Sequence, residues 1–133
     1  MLVVDSSVWI DFFNGADRPA VGLLQQLLDH GEVRIVVPDL VLFEVLRGFR
    51  REQDHRLARR LFESLSIEST GGEALALVAA QHYRALRAQG HTVRSGIDVL
   101  VAAWCIENDY ALLHRDADFD AFETSRGLRV WRH

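Results

Sequence analysis

Short apolar runs alternate with helical segments along the whole chain. Leu2–Val4 and Val33–Val37, the latter ended by Pro38, read as buried strands, as do Ala111–Leu113 and Leu128–Trp131; Ser66–Glu68 is a further, less apolar run. Between them lie a helix containing Trp9, Ile10 and Phe13, and one opened by Asp17 and Pro19 that stops at Gly31. Leu40–Phe49 and Arg56–Leu65 form a helical pair. Glu73–Ala88 carries an apolar stripe of Leu75, Val78, Ala79, Tyr83 and Leu86, with Gly90 following. Strand–helix alternation predicts an α/β fold, a mostly parallel sheet covered by helices on both faces. Sites in such sheets form outside the carboxyl ends of the strands, where Asp5 and Asp116 both fall.

With 133 residues, 49% of them apolar, the chain predicts a single domain over residues 1–133 that buries about two-thirds of its unfolded surface. The lone Cys105 excludes a disulfide framework and, inside the apolar run Val99–Ile106, reads as a small buried hydrophobe. All fifteen basic residues are arginine, which rules out any mechanism needing a catalytic lysine. A net charge of −4 argues against nucleic-acid binding by bulk charge, but not against a local basic patch. Met1 leads straight into Leu2–Val4, and no run is long and apolar enough to cross a membrane, so the expected location is the cytoplasm.

Four acids stand out against this frame. Asp5 ends the first strand and either caps the helix after it or binds a ligand. Glu44 lies among Leu40, Val41, Leu42, Phe43, Val45 and Leu46, where a charge needs a partner: Arg47 one turn on, or a cation. Asp98 is the fourth residue of Ser95-Gly96-Ile97-Asp98, which resembles a capping box and is also compatible with binding, since the helix dipole favours an anion there. Asp116, Asp118 and Asp120 follow a strand, where a solvated loop or helix cap is the plain alternative. Converging carboxylates repel by up to roughly 4 kcal/mol per pair at ~4 Å and an effective dielectric of about 20. A cation among them removes that penalty, and an all-oxygen set favours Mg²⁺ or Mn²⁺ over zinc. His114 adjoins this set and reads as a polar loop residue.

Other acidic centres do not fit. A haloacid-dehalogenase-like phosphatase wants a second Asp where Ser7 stands, and later a lysine; a receiver domain also wants a lysine; a Toprim-like domain leads with Glu rather than Asp5. The segments Val3-Val4-Asp5-Ser6-Ser7-Val8-Trp9-Ile10, Glu44-Val45-Leu46-Arg47-Gly48, Thr92-Val93-Arg94-Ser95-Gly96-Ile97-Asp98 and His114-Arg115-Asp116-Ala117-Asp118-Phe119 together resemble a PIN-domain nuclease of the VapC toxin type. They span nearly the whole chain in that family's order.

The resemblance implies a PIN-like three-layer α/β/α sandwich and a catalytic quartet of Asp5, Glu44, Asp98 and Asp116. Metal ligation would come from Asp5, Asp98 and Asp116 with Asp118, either of the last two being the nearer, and support from the Ser7 hydroxyl and Arg94. It also implies Mg²⁺ or Mn²⁺ as cofactor, an RNA substrate, a homodimer, and a VapB-like antitoxin. The antitoxin's tail would set a basic side chain against the quartet and apolar residues into a groove around Phe43 and Phe62. A rim of Arg47, Arg50, Arg51, Arg56, Arg59 and Arg60 would position phosphates, or else is a solvated helical hairpin. Trp9, Phe12 and Phe13 read as core or subunit contacts. The reading from another class is a non-catalytic PIN-like module that binds RNA or protein without cutting.

Overall fold

The computed structural model describes residues 1–133. The elements run β1 (Leu2–Val4), α1 (Ser6–Phe13), α2 (Pro19–His30), β2 (Ile35–Pro38), α3 (Asp39–Leu46), α4 (Glu52–Glu63), β3 (Ser66–Glu68), α5 (Glu73–Ala88), α6 (Gly96–Asn108), β4 (Ala111–Leu113), a 3-10 turn (Ala117–Phe119), α7 (Asp120–Arg126) and β5 (Arg129–Val130). The strands form one sheet in the order β3-β2-β1-β4-β5, and every pairing is parallel. Crossovers from β1 towards β3 carry α1–α4, and those towards β5 carry α5–α7. Right-handed connections therefore place the two helix sets on opposite faces.

This topology explains why β1, β2 and β4 are apolar at every position. Strands covered on both sides cannot alternate, and each of their residues is buried. The 30 buried apolar residues form one cluster. Trp9 is fully buried and packs against Phe12, Phe13 and Phe62, as a core role requires.

Several boundaries move from their expected places. The third helix ends at Leu46 rather than Phe49, because Gly48 and Phe49 donate to the carbonyls three residues back and tighten the chain into a turn. The fourth begins at Glu52 rather than Arg56; Glu52 and Asp54 occupy its first turn, where the helix dipole favours acids over the apolar residues that periodicity follows. β2 starts at Ile35 rather than Val33, and β5 covers only Arg129 and Val130. α2 stops where expected: Gly31 takes a left-handed φ of 67° and its N–H closes on Leu27.

Strand order reverses beside β1, whose neighbours β2 and β4 lead to opposite faces. The crevice between the carboxyl ends of β1 and β4 is thus the switch point of the sheet, where open α/β folds bind ligands.

Candidate active site

Asp5 leaves β1 at that crevice. Its N–H donates to the Leu113 carbonyl at 2.9 Å, locking it to the end of β4, and its Oδ2 accepts from the N–H (3.1 Å) and hydroxyl (2.5 Å) of Ser7. Asp5 therefore caps α1, and it is only 3% exposed. Across the crevice Asp116 caps the 3-10 turn, its Oδ1 accepting from the Asp118 N–H at 2.9 Å. Capping accounts for one oxygen of each carboxylate and leaves the other available.

Asp98 arrives from the opposite layer, in the first turn of α6. Ser95 caps that helix by accepting from the Asp98 N–H at 3.4 Å, the forward half of the expected box; no return bond from the Asp98 carboxylate is present. That carboxylate is therefore free although the residue is only 8% exposed. Glu44 comes from α3, half-buried, with its Oε2 3.8 Å from Arg47. Arg47 is largely exposed and lies over the Phe43 ring. An ion pair this long and this open to water contributes roughly 0–1 kcal/mol and does not neutralise the acid.

Asp5, Glu44, Asp98 and Asp116 line one cavity of about 420 Å³, with Ser6, Ser7, Ser95 and Arg47 also on its walls. Asp98, Asp116 and Asp118 offer oxygens that all lie within 4.8 Å of one another. The electrostatic consequence is direct. Burial, followed by the charges of Asp5, Glu44, Asp116 and Asp118, pushes the Asp98 carboxyl up to about 7. Burial also raises Asp5; the Ser7 hydrogen bonds pull the other way and Glu44 adds to the rise. The donor set is all oxygen, crowded and short of cations, which fits a hard divalent ion.

The structure thus brings together all four acids of the expected quartet, with Ser7 on the Asp5 carboxylate and Asp118 beside Asp116. Arg94 is different. It is exposed and lines a separate groove between α5 and α6 with Tyr83 and Val99. His114 is no open loop residue: it is 8% exposed, packs on Phe119, and its Nδ1 accepts from the Asp116 N–H at 3.2 Å. Burial lowers its pKa, keeping the ring neutral so that it can hold the backbone of Asp116. Phe43 is 57% exposed, whereas Phe62 is fully buried in the core and cannot line a surface groove. Two residues went unread in the sequence. Ser6, buried with an unpartnered hydroxyl, adjoins the acids, and its only signal was adjacency to Asp5. Asp11, in the apolar context Trp9-Ile10-Asp11-Phe12, posed the same question as Glu44.

A family model described as PIN domain matches residues 2–124. The chain is 33% identical over 130 residues to the VapC ribonuclease Mb1587 of Mycobacterium bovis, covering 98% of this chain and 97% of that one. The same figures hold for ribonuclease VapC11 of Mycobacterium tuberculosis. The chain belongs to the PIN-domain family of VapC ribonucleases. Its fold matches solved members: VapBC2 from Rickettsia felis, bound to a promoter DNA fragment, at a TM-score of 0.76 and 16% identity over 98% of both chains. Mycobacterium tuberculosis VapC20, a sarcin-ricin loop cleaving toxin, matches at a TM-score of 0.70 and 20% identity over the whole of both chains. In this VapC-type PIN domain the acid cavity sits at the one place where the sheet's topology opens a crevice.

Proposed function

We propose that this protein is a metal-dependent endoribonuclease, the toxin of a VapBC-type toxin-antitoxin pair, which hydrolyses phosphodiester bonds in RNA. The observation that carries the reading is that four carboxylates from four separate segments line one cavity with only a distant arginine to offset them. Asp5, Asp98 and Asp116, with Asp118 beside them, are the residues to hold Mg²⁺ or Mn²⁺. Such an ion lowers the pKa of water and neutralises charge on the phosphate. Ser7 holds one oxygen of the Asp5 carboxylate on the cavity wall and leaves the other available. Glu44, half-buried on the wall of the cavity, accepts the proton of the attacking water, and Arg47, on the same wall, meets the incoming phosphate. A purely binding module has no use for this uncompensated charge, so the non-catalytic reading is not favoured.

Restraint by a VapB-like antitoxin follows from the same surface. Ile10, Phe13, Val45 and Phe49 line a small apolar hollow that shares Ile10 and Gly48 with the acid cavity, and Phe43 is exposed beside Glu44 in α3. A peptide with apolar side chains in the hollow and an arginine among the acids suits both. The relatives that carry this fold include antitoxin-bound VapBC complexes, and we place this protein in the cytoplasm as a homodimer within such a complex. The test is cleavage of single-stranded RNA by purified protein in Mg²⁺, in Mn²⁺ and in chelator. Activity that survives chelation, or that Asp98→Asn retains in full, sinks the reading.

A further inference from the structure

A second hollow, of about 330 Å³, opens on the far side of Asp116, which lines both it and the acid cavity. Its chemistry is different. Its other lining residues include Trp131, Arg115, Arg132 and His133, with Asp120 as a second acid that the two arginines offset. Of the three tryptophans, Trp9 and Trp104 are buried in the core, and Trp131 alone is partly exposed. Its backbone is nonetheless fixed: the Trp131 N–H donates to the Leu112 carbonyl at 2.9 Å, prolonging the β4–β5 ladder.

Both arginines are held from behind. Arg115 donates through Nε and Nη2 to Asp11, and Arg132 through Nη2 to Glu123. A guanidinium carries five N–H donors, so each keeps donors for another group after its carboxylate is satisfied. A cation already immobilised loses less side-chain entropy when it binds again. A partly open aromatic ring packed against the core, beside two held guanidiniums, suits an unpaired nucleotide, whose base stacks on the ring while its phosphate meets the N–H groups. The volume is near the lower end of small-molecule sites, about 300–1,000 Å³, room for one such unit.

We propose that this hollow is a subsite for the single unpaired nucleotide next to the phosphate attacked in the acid cavity. Trp131 is its stacking face, and Arg115 and Arg132 are its phosphate donors. The assignment rests on the ribonuclease reading above. Asp116, standing between the two hollows, then divides the reacting phosphate from its neighbour. Trp131 contacts substrate and adds affinity without taking part in the chemistry.

The experiment compares wild type, Trp131→Phe and Trp131→Ala on a single-stranded RNA oligomer with one cleaved bond, and on the same oligomer made abasic on either side of that bond. Trp131→Ala should raise KM roughly 5- to 100-fold with kcat within about two-fold, and Trp131→Phe should retain most of the affinity. One abasic oligomer should show the same loss with wild type and no further loss with Trp131→Ala. A wild-type KM in Trp131→Ala, or losses that add in full, overturns the subsite. If Trp131→Ala melts early, Arg132→Gln carries the test by raising KM a few-fold; an unchanged KM overturns the proposal. Should the wild type cut no RNA, the same oligomer, carrying a fluorescent label, is titrated with wild type and Trp131→Ala by fluorescence anisotropy. Binding weakened by Trp131→Ala upholds the subsite while the ribonuclease reading fails; binding indifferent to Trp131, or none, overturns it. Loss of affinity for an antitoxin with RNA cleavage intact likewise overturns it, making the hollow a protein contact.

Discussion

Asp11 and Asp98 are equally buried, each 8% exposed, and they do opposite things. Asp11 faces two guanidiniums: Arg115 donates to it from the loop after β4, and Arg18 Nε lies 3.2 Å away. Asp98 faces no cation and four other acids, and its carboxyl is pushed up to about 7. Burial therefore does not distinguish an acid that the fold neutralises from one that it leaves among like charges. What distinguishes them is whether the folded protein supplies the opposite charge or leaves it to be supplied from outside.

The largest effect should come from exchanging each for its amide. Asp98→Asn should abolish cleavage, by roughly a thousand-fold or more, because several kcal/mol of charge stabilisation at the phosphate is lost. It should at the same time stabilise the protein in chelator. Asp11→Asn should do the reverse, costing roughly 1 kcal/mol, since both of its arginines are open to water, while leaving kcat near wild type and raising KM only as far as the loosened Arg115 weakens substrate binding. Denaturant melts and initial rates on both variants check this; equal signs in the two melts would break the contrast.

The second effect is a pH dependence of stability. Asp98 titrates at 3.8 as a free side chain and at about 7 in the fold, so between those values the folded state binds more protons than the unfolded state. Its favourable contribution is full below the lower value and is lost as pH rises through the upper one. The melting temperature in chelator should therefore fall between about pH 4 and about pH 7, and the fall should shrink in Asp98→Asn. Mg²⁺ should raise the melting temperature most at the alkaline end, where the acids are charged. A flat profile in chelator would show that the acids are already neutralised within the protein.

Glu44 lies between the two extremes, having a weak partner and three acidic neighbours in its cavity. Glu44→Gln should raise stability in chelator by about 1 kcal/mol or less, since the group is only half-buried. If it instead lowers the melting temperature, Arg47 is a structural partner and Glu44 belongs with Asp11. Smallest is Ser7→Ala, which removes one hydrogen bond to Asp5 and leaves the Ser7 N–H bond in place. A loss of about 0.5 kcal/mol is expected, together with a modest loss of cleavage as Asp5 becomes harder to ionise. An unchanged rate would confine Ser7 to capping.

Some of this was legible in the letters. Leu2–Val4 ahead of Asp5, and Ala111–Leu113 ahead of the Asp116 turn, announce strand ends because an uninterrupted apolar triplet suits a strand covered on both faces, and an acid stops it. Glu73–Ala88 and the Gly31 stop were legible for the same reason, that helical periodicity and a left-handed cap are local properties. The ends of α3 and α4 were less so, since tight turns and first-turn acids decide them rather than apolar spacing.

The sequence by itself determined which segments become strands and helices, and which acids stand at their ends, because those choices rest on neighbours a few residues away. Tertiary structure alone decided the company each acid keeps. Glu44 and Asp11 have nearly the same local setting, an acid among large apolar residues on a short helix. One meets Arg115, 104 positions along the chain, and the other meets Asp5, Asp98 and Asp116. The same holds for Trp131, whose partial exposure beside Arg115 and Arg132 follows from where β5 ends against β4. Electrostatic energy depends on distance in space, and separation along the chain carries almost none of that information.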